Sequence, residues 1–247
     1  MALTNLIGNR VSRSEIYDLP TPVPASDTHY PIHHKMMLNL LEKEIFQRGL
    51  NIEESEFVLD KNGMRLFGLY KLSSDSEVQS SMVGIVNSAD MSTSASILSG
   101  TSVHICSNLL MDSDFKIGLR HTANILQKLP TMVSRGVQFA LSSMSLQEKR
   151  YQDYISTPIK DSIAENIIIQ LWRVGAIPAA SIAKIVAENE NPTHQEFISN
   201  GKRTLWTLQN SCTEILRPSS PGLLHSYVDR TSKIIEVLDS VVADQIH

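Results

Sequence analysis

The spacing of apolar residues along the chain changes character twice. In "HHKMMLNLLEKEIFQRGL" the residues Met37, Leu40, Leu41 and Ile45 recur on one helical face, with Glu42, Lys43 and Gln47 opposite. Gly49 stands where such a helix would stop. The leading "HHK" reads as an exposed basic start to that helix. The period then shortens. "SEFVLDKNGMRLFGLYKL" predicts a strand over Phe57–Leu59, a hairpin turn at Asn62-Gly63, and a second strand over Met64–Leu72. Met82–Val86 reads as a buried strand. The polar stretch Asn87–Asn108 comes next, with a short helix expected over Thr93–Leu98 and a strand over Val103–Cys106. In "DFKIGLR", Phe115, Ile117 and Leu119 alternate with Lys116 and Arg120.

After His121 the helical period returns and persists. A short helix is expected to break or kink at Pro130 and give way to a longer one. Ile163, Ile167, Leu171 and Val174 then fall in register, and Pro178 opens the next helix. Leu205, Leu208, Cys212 and Ile215 mark another, and Val228, Ile235, Leu238 and Val242 the last. The pattern predicts an α+β fold: an antiparallel sheet with flanking helices in the N-terminal part and an all-helical C-terminal part. The expected division is an extended N-terminal arm over residues 1–31, an α+β core over 32–152, and a helical subdomain over 153–247 packed on the core. Pro20, Pro22, Pro24 and Pro31 support the extended arm, because proline fixes φ and removes a donor.

Composition narrows the function classes. With 247 residues, 42% apolar and 19% charged, the chain can bury a proper core. A net charge of -4 supplies no global basic field for non-specific nucleic-acid binding. The two cysteines, Cys106 and Cys212, form no CxxC and read as reduced, buried thiols. No apolar run reaches the ~20 residues of a membrane span, and "MALTNLIGNRVSRSE" has no apolar signal core. A cytoplasmic protein with no membrane contact is expected.

The polar stretch carries the first candidate chemistry. Asn87, Ser88, Ser92, Thr93, Ser94 and Thr101 could cradle a phosphate or carboxylate. The same residue types also cluster in loops and caps for local hydrogen-bonding reasons. There is no P-loop and no GxGxxG, so no cofactor is implied. Asp90 is the lone acid. Arg120 and His121 come next, at a strand-to-helix handover. Arg120 offers a donor fork for an anion, and His121 an acid, base or donor near neutral pH. The structural alternative makes Thr122 a helix cap and Arg120 a surface partner for an acid. His29, His33, His34 and His104 lack the spacing of a metal motif, and no metal site is expected. Asp112 and Asp114 flank an expected turn that could hold one cation but reads first as solvated. No catalytic signature is legible. For nucleic acid, the candidate contacts are Arg120, Lys202 and Arg203. Trp172 and Trp206 fall in apolar helices and read as core anchors rather than base-stacking platforms.

The string "GIVNSADMSTSASILSGTSVHICSNLL", followed by "FKIGLRHTANI", resembles the phage/plasmid-like family labelled domain of unknown function 932. The positions that carry the likeness are Asn87, Ser88, Asp90, Ser92, Gly100, Val103, Cys106, Asn108, Leu109, Arg120, His121, Thr122 and Asn124. "TLWTLQNSCTEIL" adds Trp206, Asn210, Thr213 and Glu214, and the likeness runs from about Pro22 to Asp239. Where family members carry charged residues, this chain has Val86, Ala89, Met91 and Ser107. The resemblance implies an accessory protein of a bacteriophage or other mobile element in a bacterial host cell, with roles in DNA recombination, replication or host-defence evasion. It directs attention to a cleft built from Asn87, Ser88, Asp90, Ser92, Asn108, Arg120, His121 and Asn124. The expected mode is binding, to single-stranded DNA or to a replication, recombination or defence protein. The alternatives are an enzyme or sensor for a nucleotide or phosphate ligand, and a structural protein that forms homo-oligomers through its helical half.

Overall fold

Six antiparallel strands form a sheet in which every strand lies beside its neighbour in sequence. In the computed structural model the described residues are 9–73, 79–103, 109–217 and 224–245, without the side chains of 79–80, 101–103, 109–116, 144, 224–225 and 245. The elements are β1 (Asn9–Val11), α1 (Arg13–Tyr17), α2 (His34–Gln47), β2 (Ile52–Leu59), β3 (Arg65–Leu72), β4 (Gln79–Ser88), β5 (Ala95–Val103), β6 (Leu109–Leu119), α3 (Ile125–Ile155), α4 (Asp161–Arg173), α5 (Ile182–Glu190), α6 (Leu205–Leu216) and α7 (Leu224–Gln245). The fold is mixed α+β, with the antiparallel sheet in the N-terminal half and helices dominating the rest. Among the described residues no helix is long and apolar enough to cross a membrane.

Both faces of the sheet are covered, and the strand period shows how. In β3, Leu66, Tyr70 and Leu72 join one apolar cluster, while Phe67 and Leu69 join another. β2 splits likewise, with Phe57 and Leu59 to the first cluster and Val58 to the second. The first face receives Met37, Leu38, Leu41 and Ile45 of α2 and the stripe Ile125, Leu129, Met132, Val133 and Val137 of α3. The second receives α4 to α7 and Tyr154 near the end of α3. The 31-residue α3 therefore serves both layers. A bidentate Arg150–Asp239 pair, at 3.1 and 2.9 Å, ties it to α7, and the Tyr154 hydroxyl donates to the same carboxylate at 2.6 Å.

Several expectations are corrected. Residues 9–17 of the expected extended arm form β1, which pairs with β2, and α1, closed by a Ser12–Glu15 capping box. Residues 95–98, expected to be helical, belong to β5. Ala95 and Ile97 face one layer and Leu98 the other, a strand period too short to see in four residues. Pro130 does not divide the helix. It is the sixth residue of α3 and exposed, so it forfeits one early hydrogen bond while the apolar stripe on either side stays seated. Trp206 is buried edge-on against Tyr151, at 4.9 Å between centroids, but Trp172 is 44% exposed at the end of α4. Ile163 and Val174 are exposed too, because the buried stripe of α4 is Ala164, Ile167, Ile168 and Leu171. The strand expected over Val103–Cys106 is described only at Val103, the last residue of β5.

Other expectations stand as read. Gly49 ends α2 at φ +73°, with the Gly49 and Leu50 amides returning to the Phe46 and Ile45 carbonyls. The β2–β3 turn uses Gly63 at φ +66°, and Asp60 accepts from the Met64 and Arg65 amides at 2.7 and 3.0 Å.

Candidate functional site

The β4–β5 hairpin loop is built from the polar residues that stand out in the sequence. Ser88 pins it: its hydroxyl donates to the Thr93 carbonyl at 2.7 Å and accepts from the Thr93 amide at 3.0 Å. Asp90 shapes its tip, accepting from the Ser92 amide at 3.0 Å and from Arg65 Nε at 2.7 Å. Burial works against the Asp90 charge, but these donors outweigh it and hold its pKa below the ordinary carboxylate value. Met91, between them, takes φ +63°, a left-handed conformation that costs a side-chain-bearing residue of order 1 kcal/mol.

Asn87 lies deeper and serves the fold. Its amide donates to the Ile32 carbonyl at 3.1 Å and to His34 Nδ1 at 2.8 Å, while His34 Nε2 meets the Gly63 carbonyl at 3.1 Å. That arrangement assigns the His34 proton to Nε2. His33 caps α2, accepting from the Lys35 amide at Nδ1 and bonding the Leu19 carbonyl at Nε2. The expected exposed basic start to α2 is thus two buried, hydrogen-bonded histidines. Desolvation drives the His34 pKa down to about 4.

A cleft of about 570 Å³ opens beside the loop. One wall is the chain before α2, with Thr28 and His29. A second is the hairpin loop, Met91 to Ser94. The third is the end of β6 and the two residues just past it: Gly118, Arg120 and His121. The walls meet because the Tyr30 amide donates to the His121 carbonyl at 3.0 Å, which sets the two imidazoles edge to face at 5.9 Å. His29 is 3% exposed and His121 7%. Among the described residues, neither His29 Nε2 nor either ring nitrogen of His121 has a hydrogen-bond partner. His29 Nδ1 accepts from the Ala25 amide at 3.0 Å, so the neutral ring carries its proton on Nε2. In that tautomer the His29 ring keeps a buried donor and no free lone pair. The His121 pKa is lowered, first by desolvation and then by His29, with the Tyr30 backbone acting in the opposite sense.

The Arg120 guanidinium is exposed and has no hydrogen bond or ion pair among the described residues. The alternative that gave it an acidic surface partner is not what the structure shows. Thr122 does not cap α3 either. Asn124 holds the cap position without a side-chain bond and is not part of the cleft wall. Ser92, Arg120 and His121 thus come together, whereas Asn87, Ser88 and Asp90 brace the surroundings. Asn108, His104 and Cys106 lie outside the described residues, as do the side chains of Thr101, Asp112 and Asp114. Thr28, His29, Met91, Thr93, Ser94 and Gly118 complete the cleft. Spacing offers no clue to His29, which is far from His121 in sequence and meets it only through the Tyr30 bond. Lys202 and Arg203 line a different cleft beside Lys160 and Asp161, where Arg203 is ion-paired to Asp161. Among the described residues no three His, Cys, Asp or Glu side chains group to hold a metal. Cys212 is buried and its thiol pushed up to about 12, which makes it unreactive.

No protein-family model, curated protein or solved structure matches the chain.

Proposed function

We propose that the chain acts by binding, as an accessory protein of a phage or plasmid, and that a small anion is what it binds in the cleft between His29 and Arg120. The mobile-element setting rests on the resemblance of the Asn87–Asn124 and Trp206–Glu214 segments. The anion rests on one observation: among the described residues, the buried imidazoles of His29 and His121 keep unpartnered ring nitrogens beside an Arg120 that has no ion pair. A buried donor without an acceptor costs about 1–3 kcal/mol, so an acceptor that reaches one of these nitrogens would be favoured there. Among the described residues, the lining includes no carboxylate. The His29 tautomer leaves that ring a donor and no lone pair for a metal ion.

A long polyanion fits less well. The Lys202–Arg203 cleft is a separate site with its arginine ion-paired, and among the described residues neither cleft is lined by a Phe, Tyr or Trp ring for base stacking. Thermal melting tests the reading. Inorganic phosphate, sulfate or citrate, compared with chloride at matched ionic strength, is expected to raise Tm saturably, by roughly 5–10 °C at a hundred times Kd. Arg120→Ala is expected to remove most of the rise. A Tm that tracks ionic strength alone, whatever the anion, would sink the proposal.

A further inference from the structure

We infer that the outward face of α3 is a docking surface for an acidic amphipathic helix of a partner protein. The inner side of this 31-residue helix is seated on the sheet through Leu129, Met132, Val133 and Val137. Its outer side carries Lys128, Arg135, Ser142 and Lys149 at steps of seven residues, with Lys128, Arg135, Ser142 and Lys149 all exposed. Phe139 and Leu146, also seven apart, stand beside them at 38% and 42% exposure. At the α-helical repeat these side chains fall within about 80° of one another and run for about 32 Å along the helix.

The chain does not answer these charges itself. Among the described residues none of Lys128, Arg135 and Lys149 has an ion pair. No acid stands three or four residues from Lys128 or Arg135. The two acids of α3 come near its C-terminal end: Glu148 on the flank, bonded by Gln152, and Asp153 four residues beyond Lys149. In a chain of net charge -4 the stripe is a local basic exception. Its spacing and its apolar pair choose among anionic partners. Seven residues is the repeat at which one helix meets another. Nucleic acid would answer the three bases, but Phe139 is the only aromatic ring on the stripe and Leu146 has no face for stacking. A second copy related by a two-fold axis would set like charges together. A helix with acids beside an apolar seam answers the bases and buries Phe139 and Leu146 at once.

Fluorescence anisotropy tests this with a lactam-stapled peptide of three heptads that carries Leu on one helical face and Glu beside it. The controls are a scrambled peptide of the same composition and an oligo-dT of matched charge. The stapled peptide is expected to bind at least about tenfold tighter than either control. Joint Lys128→Glu, Arg135→Glu and Lys149→Glu is expected to weaken it at least about tenfold, and Phe139→Ser several-fold. Arg120→Ala is expected to leave it unchanged, which separates this surface from the cleft. The substituted positions of α3 are exposed, so the variants should keep the wild-type Tm. Should the triple variant melt early, Lys128→Ala with Arg135→Ala carries the test. Equal binding of the scrambled peptide would reduce the site to bare charge and overturn the helical partner. Tighter binding of oligo-dT would overturn it in favour of nucleic acid. A dimer in light scattering that the triple variant abolishes would make the occupant a second copy and overturn it too. Peptide binding that survives the triple variant, or no binding at all, would overturn the surface.

Discussion

His34 shows how a polar residue becomes part of a core. Its ring is buried, its Nε2–H bonds the Gly63 carbonyl and its Nδ1 accepts from Asn87. A second proton would set two donors against each other at Nδ1, and burial already disfavours the charge. The folded pKa is about 4 against an ordinary 6.5, so the unfolded chain takes up the proton first. The resulting stability is fully present above pH 6.5 and is lost as pH falls towards 4, by up to about 3 kcal/mol. Urea midpoints across that window should fall with pH, and the slope should flatten in His34→Gln. The residue contribution that remains should have the same sign, because the His121 pKa is lowered as well. None of this was legible in "HHK". The partners of His33 and His34 come from Leu19, Gly63 and Asn87, and only tertiary structure brings those together. For the same reason the sequence singled out Arg120 and His121 but missed His29 as their companion. Conversely, Asn87, Ser88 and Asp90 drew attention as chemistry, yet Ser88 and Asp90 brace the hairpin loop and Asn87 ties β4 to the start of α2.

At the scale of elements, the helices were the most legible part because their apolar stripes run over many turns. The stripe of α2 and the anchors of α6 and α7 sit close to where the spacing put them. Short strands were harder. β5 interleaves Ser96 and Ser99, both buried, among its apolar residues, and Ser99 is accommodated by a 2.6 Å bond to Ser143 of α3. α6 looked amphipathic, yet its polar face is buried too. Asn210 and Ser211 bond back to the carbonyls of Trp206 and Thr207, both at 2.8 Å. The seating of α3 on β5 depends on Gly136, where a Cβ would fall 2.6 Å from Ile97. Gly136→Ala would gain helix propensity, but the clash must lift α3 from the sheet. A net loss of about 1–3 kcal/mol in urea unfolding is expected. A neutral or stabilising result would show that the helix can move there at no cost.

For the whole molecule, the two-sided sheet decides how the halves depend on each other. Val58, Phe67, Leu69, Met82 and Leu98 are covered by the C-terminal helices. A chain ending at residue 157 would present that face to water. It is expected to bind a hydrophobic dye strongly and to lack a cooperative melt, whereas the full chain should show one transition by both circular dichroism and tryptophan emission. A truncated chain that melts sharply and binds no dye would mean the N-terminal half stands alone. The sheet also has a consequence for biosynthesis. Each strand pairs with the one before it, so the sheet can assemble hairpin by hairpin as the chain leaves the ribosome. It is complete at Leu119, yet the helices that cover its second face begin only at Asp161 and end at Gln245. At about 5–20 residues per second, an apolar sheet face would stay bare for on the order of ten seconds. During that interval the nascent chain is a natural client for holding chaperones.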